Sequence, residues 1–162
     1  MLAHDHSEID LLLQIALAKL RSKDSALAFR SLDLFWARLA VHIRAEHLHL
    51  FPAILKISES EVPTDLPGIL EHLRTDHDFF MHELADMIKT MRGENSDNRH
   101  EEMESTERRL EVIKDRLTAH NEVEETRIYR LINSLVQIEN ELLSQSVKKE
   151  LANLPPRFVN PV

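Results

Sequence analysis

Residues 32–53, LDLFWARLAVHIRAEHLHLFPA, decide the fold class and open the question of function. Taken at alternating steps of three and four, the stretch presents Leu32, Phe35, Leu39, His42, Glu46, His49 or Leu50, and Ala53 on one helical face. Such a face is the apolar seam that a bundle helix turns toward its neighbours. His42 and Glu46 interrupt it. A carboxylate left unpaired there costs on the order of several kcal/mol, so Glu46 requires a proton, a cationic partner or a metal. A second stretch repeats the arrangement with Leu110, Ile113, Leu117, His120, Glu124, Ile128, Leu131 and Leu135. Two interior His-x-x-x-Glu pairs in one small chain exceed what packing requires and point to metal binding.

Outward from these stretches, the chain reads as helices joined by short polar connections. The first helix is expected from Asp5 or Ser7 to Ser22–Asp24, with His6, Ile9, Leu13, Ala16, Leu17 and Leu20 on one face. Ser22, Asp24 or Ser25 caps the second helix, and Pro52, which has no amide proton, ends or kinks it near Phe51. Residues 58–67, SESEVPTDLP, form the longest connection. A third helix opens near Pro67, aligns Leu70, Leu73, His77, Phe80 or Met81, Leu84, Ile88 and Met91, and ends at Gly93. A polar segment, 94–99, leads through a cap at Ser96 into the fourth helix, which is expected to reach Val136 and whose first charged turns, 100–109, read as a solvated extension. A last stretch, 138–152, apolar at Ile138, Leu142, Val147 and Leu151, either continues that helix or packs as a short fifth one. Residues 155–162 read as an irregular tail after a single domain of residues 1–154.

The totals agree with an all-α domain. At 162 residues with two glycines and no runs of β-branched or aromatic residues, one helical core is expected. The absence of cysteine removes disulfides, thiolate metal sites and a cysteine nucleophile, leaving His, Asp and Glu as ligand chemistry. A net charge of -8 disfavours nucleic acid and anionic membranes as partners. No apolar run approaches the roughly 20 residues that span a bilayer. The expectation is a soluble, unexported, cytoplasmic protein; a homodimer is compatible with the composition.

An internal repeat organises the candidates. Asp5-His6 matches Asp76-His77, 71 residues on, and 42–51 (HIRAEHLHLF) matches 120–129 (HNEVEETRIY), 78 residues on. Each half is a helical hairpin with one single histidine and one His-x-x-x-Glu pair, and two such hairpins make an antiparallel up-down four-helix bundle. Residues four apart lie one turn apart on the same face, so each pair can reach one centre. His6, His42, Glu46, His77, His120 and Glu124 would supply four imidazoles and two carboxylates, enough for two ions roughly 3.5 to 4 Å apart. Imidazole with bridging carboxylate suits iron above manganese or zinc, and leaves coordination positions for a small diatomic ligand or peroxide. Spacing alone is weak: seven of the ten histidines precede an acid by four residues, where composition predicts about two, and surface pairing accounts for part of the excess. The apolar setting selects the six. His72, His82 and His100 fall on polar faces; His4 and His49 read as solvated, with support of a ligand from behind as the alternative, and His47 reads as packed on a partly apolar face with Ile43, Phe51 and Ile54, its ring edge in solvent. Asp5 and Asp76 read most simply as surface acids at helix starts, with ligand orientation as the alternative.

The six-residue order His6, His42-x-x-x-Glu46, His77, His120-x-x-x-Glu124, with Leu50-Phe51-Pro52 after the first pair, resembles the hemerythrin-like, or HHE cation-binding, domain family. The resemblance implies four antiparallel helices around a non-haem di-iron centre with two bridging carboxylates. It implies binding of, or reaction with, dioxygen, peroxide or nitric oxide in sensing, protection or storage. An iron carrier or donor for repair of damaged iron centres is the alternative. Oxygen carriers of the family usually add a histidine where this chain has Leu73, and repair proteins add a cysteine-bearing region that is missing here.

Overall fold

The computed structural model describes residues 2–58, 60–92 and 98–159, and every regular element among them is helical. Four long helices, α1 (Leu2–Arg21), α2 (Ser25–Ala45), α4 (Leu66–Arg92) and α5 (Arg99–Val123), pack in a closed ring in which α1 touches α2 and α5, and α4 touches α2 and α5. One-turn helix α3 (Phe51–Ile54) extends α2. Helix α6 (Gln137–Leu151) lies against α2, and a single turn, α7 (Pro156–Val159), follows.

Local chemistry explains the boundaries. Asp24 is the cap of α2: its side chain accepts the Leu27 amide at 3.0 Å. Lys23, just before it, adopts a left-handed φ of 60° to reverse the chain. The α2 ladder then changes register: the Phe51 amide bonds back five residues to the Glu46 carbonyl, forming a π turn over Glu46–Leu50 immediately before Pro52. The second repeat does the same, Tyr129 bonding to the Glu124 carbonyl in a π turn over Glu124–Ile128. Arg130 stands where Pro52 does, so the missing proline amide is not the shared cause. A 3-10 turn (Tyr129–Ser134) closes this helix before the extended Leu135.

The core has two parts. At one end, Leu13, Leu17, Phe35, Leu84, Met87, Leu110 and Ile113 interlock; at the other, Leu50, Phe51, Ile54, Leu70, Leu73, Ile128 and Val147 do. The expected inward faces of the first three long helices are buried as read, apart from Ala53 beyond the Pro52 turn, which is half-exposed.

Several expectations are corrected. The charged residues 100–109 are part of α5 and carry Met103 and Thr106 inward, so they are packed and not a solvated extension. The fourth helix stops at Ser134, short of Val136, because Leu135 and Val136 are extended and break the ladder ahead of a separate α6. Helix α6 buries Leu143 and Val147, while Ile138 and Leu142 face outward. The irregular tail contains the α7 turn. The expected helix end at Gly93 and cap at Ser96 lie outside the described residues.

Asp24→Ala removes a cap and is expected to lower stability by about 1 kcal/mol. Lys23→Gly, which relieves the left-handed backbone, is expected to raise it by about 0.5 kcal/mol. Urea unfolding of the two variants beside the parent, all with chelator present, checks both signs.

Candidate metal centre

Four helices each deliver side chains to one point. His6 comes from α1, His42 and Glu46 from α2 and its π turn, His77 from α4, and His120 and Glu124 from α5 and its π turn. All six are buried, the two glutamates completely, at 0 % exposure. The expected candidates therefore meet, and they meet as two overlapping groups: His6, His42, Glu46 and Glu124 in one, His77, His120, Glu46 and Glu124 in the other, with ligand atoms inside each group within 4.8 Å of one another.

Each glutamate divides its oxygens between the groups. In the first, His42 Nε2 lies 3.4 Å from Glu46 Oε1 and His6 Nε2 lies 3.2 Å from Glu124 Oε2. In the second, His77 Nε2 is 3.3 Å from Glu46 Oε2, and His120 Nε2 is 3.1 Å from Glu124 Oε1. Those last two oxygens, though buried, accept no well-directed hydrogen bond. The imidazoles also turn nitrogens on each other, His6 Nε2 to His42 Nε2 at 3.2 Å and His77 Nε2 to His120 Nε2 at 3.0 Å. Imidazole nitrogens that face each other beside orphaned carboxylate oxygens are a donor set that could hold a metal cation in each group.

The outer partners follow the same pseudo-symmetry. Asp5 Oδ2 holds His42 Nδ1 at 2.7 Å and is itself held by Arg38; Asp76 Oδ2 holds His120 Nδ1 at 3.1 Å, with Arg116 Nε donating to its other oxygen at 2.7 Å. Asp5 and Asp76 are thus buried orienting groups and not surface acids at helix starts. A carboxylate on Nδ1–H fixes the tautomer, so that Nε2 presents its lone pair to the centre. Arg38 and Arg116 each stand four residues before a His-x-x-x-Glu histidine, a spacing that could have revealed the pattern as Arg-x-x-x-His-x-x-x-Glu.

The single histidines are held by the residue after each glutamate. His6 Nδ1 pairs with Glu125 Oε1 at 2.8 Å, and His77 Nδ1 with His47 Nε2 at 2.8 Å. His47 is half-buried against Phe51, as read, and is in addition tied to the centre. His49 stays outside, 3.9 Å from Glu150, and His4, His72 and His100 are exposed. Tyr129, absent from the sequence reading, directs its hydroxyl into the first group, 2.7 Å from Glu46 Oε1. Apolar rings close the other side: Phe51 stacks on His77 and Phe80 meets His120 edge-on.

The charges are strongly coupled. Burial alone would lower His42, but the Glu46 charge and the Asp5 hydrogen bond raise it to about 10. Burial opposes His77 as well, and hydrogen bonds with Glu124 and Glu46 raise it to about 9. Burial and mutual repulsion push Glu46 up, yet the His42 charge and hydrogen bonds hold it below the usual carboxylate range. Glu124 lies well below that range, its burial outweighed by the close imidazole nitrogens of His120, His6 and His77. The carboxylates thus favour the charged form of the His42 and His77 imidazoles beside them.

The hemerythrin HHE cation-binding domain model matches residues 1–132, and the chain belongs to that family. Neither the curated proteins nor the solved structures contain a match. The family match accounts for cation binding and ends within the 3-10 turn, before α6.

Two predictions follow from the charge arrangement. The raised histidines contribute stability that is complete below their ordinary value of 6.5 and is lost as pH rises through about 9 to 10. The lowered glutamates contribute stability present above 4.5 and lost at more acid pH. The metal-free protein should therefore melt highest between about pH 5 and 6.5 and fall steadily toward pH 10, as thermal scans in chelator will show. Asp5→Asn and Asp76→Asn should each weaken metal binding by about 10- to 100-fold while leaving the helical signal intact, measured by competition with a chromophoric chelator.

Proposed function

We propose that residues 1–154 form an antiparallel up-down bundle that holds two iron ions through His6, His42, Glu46, His77, His120 and Glu124. On this reading the centre binds or reacts with dioxygen, peroxide or nitric oxide in sensing, protection or storage. The supporting observation is the division of both carboxylates: each offers one oxygen to each pair of imidazoles, the donor arrangement of a bridged pair of ions. Iron bound there supplies a redox-active Lewis acid with positions left for a small ligand. The chain's own contribution is to orient and to exclude. Asp5 and Asp76 hold two imidazoles in the ligating tautomer, Glu125 and His47 hold the others, and Phe51 and Phe80 cover His77 and His120 with apolar rings.

Iron delivery to other proteins is the rival use of such a centre. Complete burial of both carboxylates, with each imidazole at most 4 % exposed, obstructs a chelator or acceptor and favours a resident centre. Reconstitution with ferrous iron under argon should give about two ions per chain. Glu46→Ala and Glu124→Ala should each reduce this to below one. A visible band that forms in air and reverses under argon supports reversible oxygen binding; one that persists supports oxidative chemistry. Iron content below one per chain for the parent protein overturns the reading, and loss of iron within minutes to a moderate chelator favours the carrier.

A further inference from the structure

The two ion positions are related by the internal repeat, and the repeat fails at one informative place. Position 129 corresponds to position 51, 78 residues earlier; the first is tyrosine and the second is phenylalanine. Each follows its glutamate by five residues, and each is brought inward by the π turn that begins at that glutamate. Phe51 lays its ring beside His77 at a centroid distance of 6.1 Å and offers no donor. The Tyr129 hydroxyl lies 2.7 Å from Glu46 Oε1, 3.1 Å from Glu124 Oε2 and 3.0 Å from His6 Nε2.

These three atoms all belong to the His6, His42, Glu46, Glu124 group. A phenol has one proton and can also accept one hydrogen bond from His6, so of the two carboxylate oxygens beside it one is left facing the phenol oxygen with no proton between them. The convergence is better matched to a cation. An octahedral first-row ion with bonds of about 2.1 Å sets adjacent ligand atoms about 3 Å apart. The separations from the Tyr129 oxygen fall on that spacing, as do those between His6 and His42 at 3.2 Å and between His6 and Glu124 at 3.2 Å.

We propose that the Tyr129 oxygen is a fifth protein ligand to the ion held by His6 and His42, and that the ion held by His77 and His120 has no counterpart. The inference rests on the metal-centre reading above. It makes the two positions chemically unequal: one ion is nearly enclosed by protein, while the other, beside Phe51 and Phe80, keeps the more open coordination. Ligation of a ferric ion forms an oxygen–iron bond and breaks the phenol O–H bond, the proton leaving to solvent.

The sequence holds a single tyrosine, so any tyrosinate signal has one possible origin. The full chain is reconstituted with ferrous iron, oxidised in air, assayed for iron and examined by resonance Raman spectroscopy, with and without ring-deuterated tyrosine. The expected result is a visible charge-transfer band whose excitation enhances tyrosinate ring modes that shift on deuteration. Tyr129→Phe should lose the band and the modes while still binding iron. Two irons per parent chain with no tyrosinate modes overturns the ligand assignment and leaves the metal centre standing. Less than one iron per parent chain overturns both. The labelled parent protein decides the matter even if Tyr129→Phe folds or loads poorly.

Discussion

Two carboxylates with no access to water, set against each other in the middle of a helical core, are the constraint to which the rest of the structure answers. Neither can be left charged and unpaired in a low-dielectric interior without a cost of several kcal/mol. The response is a graded series of alternating charge that leads outward: Glu46, His42, Asp5 and Arg38 in one half, Glu124, His120, Asp76 and Arg116 in the other. Each member is held by the next. The arginines are 14 % and 37 % exposed, so the final charges in both series reach solvent.

The same series binds the helices into one unit. Asp5 on α1 grips a histidine of α2, and Asp76 on α4 grips one of α5, so each hairpin is closed by its own orienting contact. Arg38 also donates to the Leu151 carbonyl at 2.7 Å, which ties the end of α6 to the polar centre. The π turns complete the arrangement. By adding one residue to the turn that starts at each glutamate, they let the ligand and an aromatic ring five positions later share the inward face, which a regular α-helix would not allow.

This explains which parts were legible. The six ligand candidates could be read because they sit on the 3.6-residue stripe of regular helix, where apolar neighbours identify an inward face. Tyr129 was missed for the converse reason: at five residues past Glu124 it falls off that stripe, and no feature of HNEVEETRIY announces the wider turn. Its match to Phe51 across the repeat was the available signal. Asp5 and Asp76 were visible as a repeated pair, but their burial depends on the approach of Arg38 and Arg116 from neighbouring positions, a tertiary fact. His47 was similarly hidden, since its partner His77 is on another helix. The face of α6 was misread because Leu142 and Leu143 are interchangeable to a periodicity argument, and contact with the π-turn region of α2 decides between them.

The balance of charge also bears on how such a centre is filled. With His42 raised to about 10 and His77 to about 9, the metal-free interior at neutral pH holds imidazolium protons where cations would sit. The carboxylates therefore have a counter-charge in the raised imidazoles as well as in any cation held there. Metal held by these imidazoles would displace their protons, with Asp5 keeping its hold on Nδ1 of His42. Because cations would bind the folded bundle and not the open chain, occupancy of the centre and stability of the bundle rise together.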